Sequence, residues 1–309
     1  MVPIEWNCGL TSDAEGRGLT MNTRRVVLIG AAGYIAQRML PELNTRWELV
    51  PIDVRTAARD GKSIPGLVVA DLTRPDRNEY RQHFRGADAV IHCGYVSAPG
   101  LDATTWQDNS DAKFWAEYQN VALAYNVYKT ALEEGVRRVV VASSNHAADY
   151  YERLIWQEKM ESVTPDMPPR SDNWYGWAKG AYELLGFVFA TGQVEGRKLE
   201  IVQWRIGAPR DDDIDRVQRG NIKAMHRALG AYLSRRDQVQ QAIRMVETEH
   251  IADEHGVPFL IVYGISGNTH RFWSIANARD KLGYLPEDDS QTVFIDKIAA
   301  IAKAKPEKR

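Results

Sequence analysis

Apolar residues in this chain come in short blocks that end at a glycine, an acid or a serine, separated by longer stretches of helical spacing. The blocks at residues 26–29 (VVLI), 47–52, 67–70, 88–92 (DAVIH), 136–142 (VRRVVVA), 199–204 and 259–264 read as seven strands. Helices are expected from residue 33 through residue 40, over 112–134, over 229–246 and over 274–282. A further helix begins at Ser171 or Asp172 and carries Tyr175, Lys179 and Glu183. Two stretches break the rhythm. Residues 151–169 are polar and rich in Pro and Glu, and read as a surface excursion. Residues 209–221 contain RDDDIDRVQRG and read as a mobile loop whose acids form a solvated face, not a metal site. Strands alternating with helices predict a parallel sheet with crossover helices, an α/β doubly wound architecture. Ligands of such sheets gather at the carboxyl ends of the strands, where Asp53, Asp71, Ser97 and Ser144 fall.

The first strand-to-helix junction, VVLIGAAGYIA, is the most informative. Gly30 can take the positive φ of a tight turn. Gly33 lacks a Cβ, so backbone can approach a pyrophosphate there, and the helix that follows presents free N–H groups to the anion. Ala36 fills the third position, which needs a small residue for helix–strand packing. Asp53 ends the second strand 20 residues after Gly33. A dinucleotide fold places there the carboxylate that accepts from the adenosine ribose hydroxyls. Arg55, two residues on, tempers the repulsion that Asp53 would exert on a 2′-phosphate.

Composition narrows the partners more than the chemistry. The chain has 309 residues with 44% apolar and 26% charged, enough for one large domain or two closely joined ones. A net charge of −2 argues against a nucleic-acid or anionic-membrane binder. Cys8 and Cys93 suggest neither a disulfide framework nor a zinc site, and Cys93 reads as a small core residue. No apolar run reaches membrane-span length and no signal pattern opens the chain, so a cytoplasmic location is expected. Residues 1–22 read as a disordered tail, with Met21 an alternative start.

Tyr175 and Lys179 are four residues apart and share one side of a helix. An ammonium beside a tyrosine favours the phenolate, which would make Tyr175 a general base for an alcohol, with a serine hydroxyl orienting the substrate oxygen. The same spacing recurs at Tyr125 and Lys129, but before the fifth strand, on a helix expected to cover the sheet. Tyr175 follows the Ser143–Ser144 strand end and can enter the crevice, so it is the expected base.

Together IGAAGYIA, Asp53, AVIHCG, VVVASSNH and YGWAK resemble the extended short-chain dehydrogenases/reductases, the NAD-dependent epimerase/dehydratase superfamily. SSNH, AYLSRRD and VYGISGNTHRFWS look like its uronate dehydrogenase branch. The resemblance implies a Rossmann domain over residues 23–206 and a small substrate-binding region over 207–309. It implies NAD as cofactor, held by Gly30, Gly33, Tyr34, Ile35, Asp53, Asp71 and Leu72 together with Tyr175 and Lys179. Ser144, Tyr175 and Lys179 would be catalytic, Ser97, Asn145 and His146 would hold sugar hydroxyls, and Arg227 would hold a carboxylate. The implied reaction is oxidation of a uronic acid at C1 to an aldarolactone, in a homodimer. Alternatives are a glucose 6-phosphate dehydrogenase, a sugar-nucleotide epimerase or dehydratase, and a cofactor-sensing regulator without catalysis. Ala208, where that branch tends to be polar, and the long segments 151–169 and 209–221 depart from that branch beside the substrate site.

Overall fold

The computed structural model describes residues 23–97 and 110–303; the expected N-terminal tail, residues 1–22, lies outside them. Seven strands form one parallel sheet: β1 (Arg25–Ile29), β2 (Glu48–Asp53), β3 (Val68–Val69), β4 (Ala89–His92), β5 (Arg138–Ser144), β6 (Glu200–Ile206) and β7 (Phe259–Gly264). Their order is β3-β2-β1-β4-β5-β6-β7, so the chain reverses direction across the sheet between β1 and β4. A ligand crevice belongs at that reversal. This is the doubly wound fold expected from the alternation of blocks.

The sheet is buried on both faces because successive side chains point to opposite sides. Val26 and Leu28 of β1 join one core, and Val27 and Ile29 join the other. The first core is covered by α1 (Tyr34–Arg46) and α6 (Arg235–Glu247), through Met39, Leu43, Ala242 and Met245. The second is covered by α2 (Ser110–Glu133) and α4 (Trp174–Thr191), through Leu123, Val127, Tyr182 and Phe189. The remaining helices are α3 (Tyr150–Trp156), α5 (Ile222–Ala231), α7 (Ala276–Leu282), α8 (Ser290–Val293) and α9 (Ile295–Ala302).

One polar side chain crosses the first core. Arg138, at the start of β5, has no solvent exposure. Its guanidinium donates from Nε to Glu200 at 2.7 Å and from Nη1 to the carbonyls of Met245 and Thr248 at 2.8 and 2.6 Å. The C-terminal end of α6 thus supplies acceptors to the sheet's interior, where its orphan carbonyls carry partial negative charge.

Four expectations need correction. The helix bearing Tyr175 begins at Trp174, where Asn173 accepts from Gly176 N at 2.9 Å as its N-cap. The expected surface excursion at 151–169 contains most of α3, with Tyr151 and Glu152 buried. Val163 in the same stretch is also buried and exchanges backbone hydrogen bonds with Phe272 and Ser274. The expected loop at 209–221 is anchored, because Ile214 packs with Phe294 and Ile301. The single helix expected over 229–246 is two, since Ser234 caps α6 by accepting from Asp237 N at 3.1 Å and the chain turns at Tyr232 and Leu233. Among the described residues no helix is long and apolar enough to cross a membrane.

Candidate active site

A cleft of about 910 Å³ opens at the carboxyl ends of β1, β2, β4, β5 and β6. Gly30, Gly33, Tyr34, Ile35, Asp53, Asp71, Leu72, Ser97, Ser144, Asn145, His146, Tyr175, Lys179 and Arg227 all line it. These are the residues singled out from the sequence, and the fold brings every one of them to a single crevice.

At the floor Gly30 has φ +76°, and a Cβ there would lie 2.6 Å from the backbone of Cys93 and Gly94. No other residue fits where the loop after β1 crosses the loop after β4. Asp53 braces the same loop: Oδ2 accepts from Ala32 N and Oδ1 from Arg55 N, each at 2.9 Å. Each oxygen keeps a second lone pair for a ribose hydroxyl. Arg55 and Arg59 stand on this rim. At the helix start, the Arg210 guanidinium lies 5.6 Å over the Tyr34 ring, which places a cation beside the anion-binding N-terminus of α1. The floor, carboxylate and cation fit a dinucleotide diphosphate and its adenosine ribose.

The chemistry gathers at the end of β5. Ser143 and Ser144 are neighbours with opposite fates. Ser143 points into the sheet and donates to Glu183 at 2.9 Å. Ser144 faces the cleft, accepts from His146 N at 3.2 Å, donates to Asn145 Oδ1 at 3.4 Å and stands beside Tyr175, where its hydroxyl favours the phenolate. That approach requires glycine beside the tyrosine, because a Cβ on Gly176 would fall 2.1 Å from the His146 carbonyl. Lys179 donates to the Ala142 carbonyl at 2.9 Å, and its ammonium lies 5.5 Å from the Tyr175 ring centre.

Electrostatics there differ from the sequence expectation. Burial raises the Tyr175 pKa, and the Ser144 hydrogen bond only partly offsets it. Burial also lowers Lys179 to about 8, although the nearby Glu117 carboxylate holds it up. The net direction at Tyr175 is therefore upward, and added positive charge in the cleft is what would bring it down. His92 and Cys93, beneath the pair, are made inert by burial: the imidazole is lowered to about 3 and the thiol pushed up to about 12.

The substrate side is acidic. His146 Nδ1 lies 3.0 Å from Asp149 Oδ2, which also accepts from Asn173 at 2.7 Å. Burial works to raise the Asp149 pKa, but hydrogen bonding by its neighbours, His146 foremost, holds it below the usual carboxylate value. Arg227 lines the cleft with both bonds of its fork on Glu152, at 2.7 and 3.0 Å. Glu152 was not legible as a site residue, since it lay in a stretch read as surface. Tyr95 and Glu117, beside Lys179, were missed for want of any motif. The second Tyr–Lys pair is elsewhere: Tyr125 packs on Phe189, and Lys129 pairs with Glu195.

A doubly wound sheet with a serine, a tyrosine and a lysine converging on its dinucleotide cleft defines an oxidoreductase of the short-chain type. The chain belongs to the NAD dependent epimerase/dehydratase family, matching it over residues 26–191, and NAD is its cofactor. It is 27% identical over 277 residues to an L-arabinose 1-dehydrogenase (NAD(P)(+)) of Haloferax volcanii, covering 87% of this chain and 98% of that one. It is 28% identical over 271 residues to a uronate dehydrogenase of Pseudomonas putida, covering 87% and 85%. The crystal structure of uronate dehydrogenase from Agrobacterium tumefaciens superposes with a TM-score of 0.68 at 25% identity, covering 92% of each chain.

Proposed function

We propose that the protein oxidises a sugar at C1, converting the cyclic hemiacetal to a lactone, with Tyr175 as general base. The observation that carries this is the convergence of Ser144, Tyr175 and Lys179 at the end of β5, next to the dinucleotide floor. NAD, when bound, supplies the hydride acceptor and a cationic ring. Tyr175 takes the proton of the C1 hydroxyl, and Ser144 holds that oxygen. Lys179, anchored on Ala142, keeps positive charge beside the developing phenolate. With its Nδ1–H on Asp149, His146 has Nε2 as an acceptor for a sugar hydroxyl. Asn145 and Ser97 offer further polar groups.

The sugar we infer is an uncharged aldose. A uronic acid needs a cation with charge to spare, and Glu152 already takes the Nε and Nη2 edge of Arg227 and offsets its charge. Asp149 and Asp172 stand in the adjoining pocket and add negative charge. A uronate reading is favoured by the likeness to uronate dehydrogenases and by Arg227, which lines the cleft at the position implied by its distance before AYLSRRD.

The test is NADH formation with purified protein and a panel of aldoses, uronic acids and sugar phosphates. The expected result is a higher kcat/KM for a neutral aldose than for its uronic acid. Glu152→Gln, which frees the guanidinium, should move that ratio toward the acid by about tenfold or more, the worth of one charge-assisted pair. A wild type that prefers the uronic acid and fails as Arg227→Ala would restore the uronate reading. Transient cofactor reduction without net oxidation would replace both with an epimerase.

A further inference from the structure

Beside the catalytic pair lies a buried carboxylate for which the reaction has no direct use. Glu117, on α2, is 7% exposed and accepts a short hydrogen bond from the Tyr95 hydroxyl. Asn120, one turn on, holds the same segment by bonding both backbone groups of Val96. The Tyr95 ring stands edge-on to Tyr175, with centres 5.7 Å apart and planes at 79°. The Lys179 ammonium lies 5.5 Å from the centres of both the Tyr95 and Tyr175 rings and 4.8 Å from that of Tyr182.

We propose that Glu117 is a positioning residue for the Tyr175–Lys179 pair, holding Tyr95 against it and supplying the buried negative charge opposite the ammonium. The inference rests on the assignment of Tyr175 and Lys179 as the reacting pair, and not on the identity of the sugar. The groups facing Glu117 are Tyr95 from the segment after β4, Asn120 one turn along α2, and Tyr175, Lys179 and Tyr182 from α4, with Cys93 behind the lysine; burial raises the Glu117 pKa, and the bond from Tyr95, the Lys179 charge and the bond from Asn120 work to keep it ionised. Lys179 is the cation among them. Burial lowers its pKa to about 8, and Glu117 opposes that fall. The same charge makes the Tyr175 proton harder to remove. Glu117 therefore retains protons on both members of the pair until a positive charge enters the cleft.

The sign follows. Removing the negative charge lowers the pH at which the pair gives up each of its protons. Binding of oxidised NAD should release protons over a pH window set by the pair, because a cation disfavours them. That window is measured by calorimetry of NAD binding in two buffers of different ionisation enthalpy, across pH. Glu117→Gln keeps an acceptor for Tyr95 and removes the charge. Its window should move to lower pH by about half a unit or more, as expected for one charge across a few ångströms of protein interior. Glu117→Asp keeps the charge but draws back from the Tyr95 hydroxyl. Its window should stay within about 0.2 units of wild type, while any turnover falls. A cooperative melt of each variant checks the fold.

An unmoved window in Glu117→Gln, or equal movement in both variants, would overturn the proposal. The readout needs no sugar. If no sugar is turned over but the window moves as stated, the proposed function fails and this inference stands; turnover with an unmoved window gives the reverse.

Discussion

Glu183→Gln is the most exposing test of how the site is supported. Glu183 and Arg205 are 2% and 0% exposed in their side chains and face one another under the strand ends. The carboxylate accepts from Arg205 Nε and Nη2 at 2.8 and 2.7 Å, and from Ser143 at 2.9 Å. Arg205 donates its remaining fork to Tyr263 at 3.0 Å. Burial works to lower the Arg205 pKa, but the bonds and charge of Glu183 more than offset it, so the guanidinium stays charged. The glutamine variant cannot escape by shedding that proton. It leaves a buried cation without its counter-ion and turns one acceptor into a donor facing other donors. Breaking one side of such a pair costs about 3–5 kcal/mol. In a chain this long each kcal/mol is worth roughly 2 °C, so Tm should fall by roughly 6–10 °C. Thermal and urea melts measure it. Glu183→Leu with Arg205→Met removes both charges and should regain most of the loss. A single variant that loses less than about 1 kcal/mol, or a double variant no better than the single, would refute the reasoning.

Tyr175→Phe should reduce kcat at least about a hundredfold with NAD affinity little changed, while Tyr125→Phe stays near wild type; comparable losses would misplace the base. Steady-state kinetics should give NAD a higher kcat/KM than NADP through Asp53, short of full exclusion because Arg55 and Arg59 share the rim. On α2 and α4, Trp115 is 60% and Leu184 64% exposed, with Tyr118, Trp174, Trp177 and Phe187 also exposed. This apolar face is expected to be covered by a second copy, so light scattering should give a dimer that Trp115→Glu with Leu184→Asp converts to a monomer.

The sequence was most readable where backbone demands are local. Gly30, Gly33 and Asp53 are tied to one turn, and the spacing of Tyr175 and Lys179 to one helix, so chain order alone brought them together. What escaped was set by distant contacts. Glu152 matters because Arg227, 75 residues away, meets it. Tyr95 and Glu117 carry no motif, and their relation exists only once α2 lies across the end of β4. The stretch at 151–169 was misjudged for the same reason: its Pro and Glu content reads as surface, while Val163 finds its partners beyond residue 270. The break between α5 and α6 turns on Ser234, whose capping role is hidden in an otherwise continuous helical pattern.

Arg138 has a consequence for how the chain is made. Its guanidinium is sealed in the sheet, yet its acceptors at Met245 and Thr248 are more than a hundred residues downstream. Until that stretch leaves the ribosome, a nascent chain holding all of β1 to β6 offers this buried cation Glu200 but not the two carbonyls that complete its bonding. The same wait applies to α1, where Arg38 and the Ile35 carbonyl bond to Gln238. A fragment stopping after residue 206 should remain a loose collapsed state, even though the residues that touch the dinucleotide floor are nearly all within it. The strands β1 to β6 and α1 thus depend on α6 for the partners that complete their bonding.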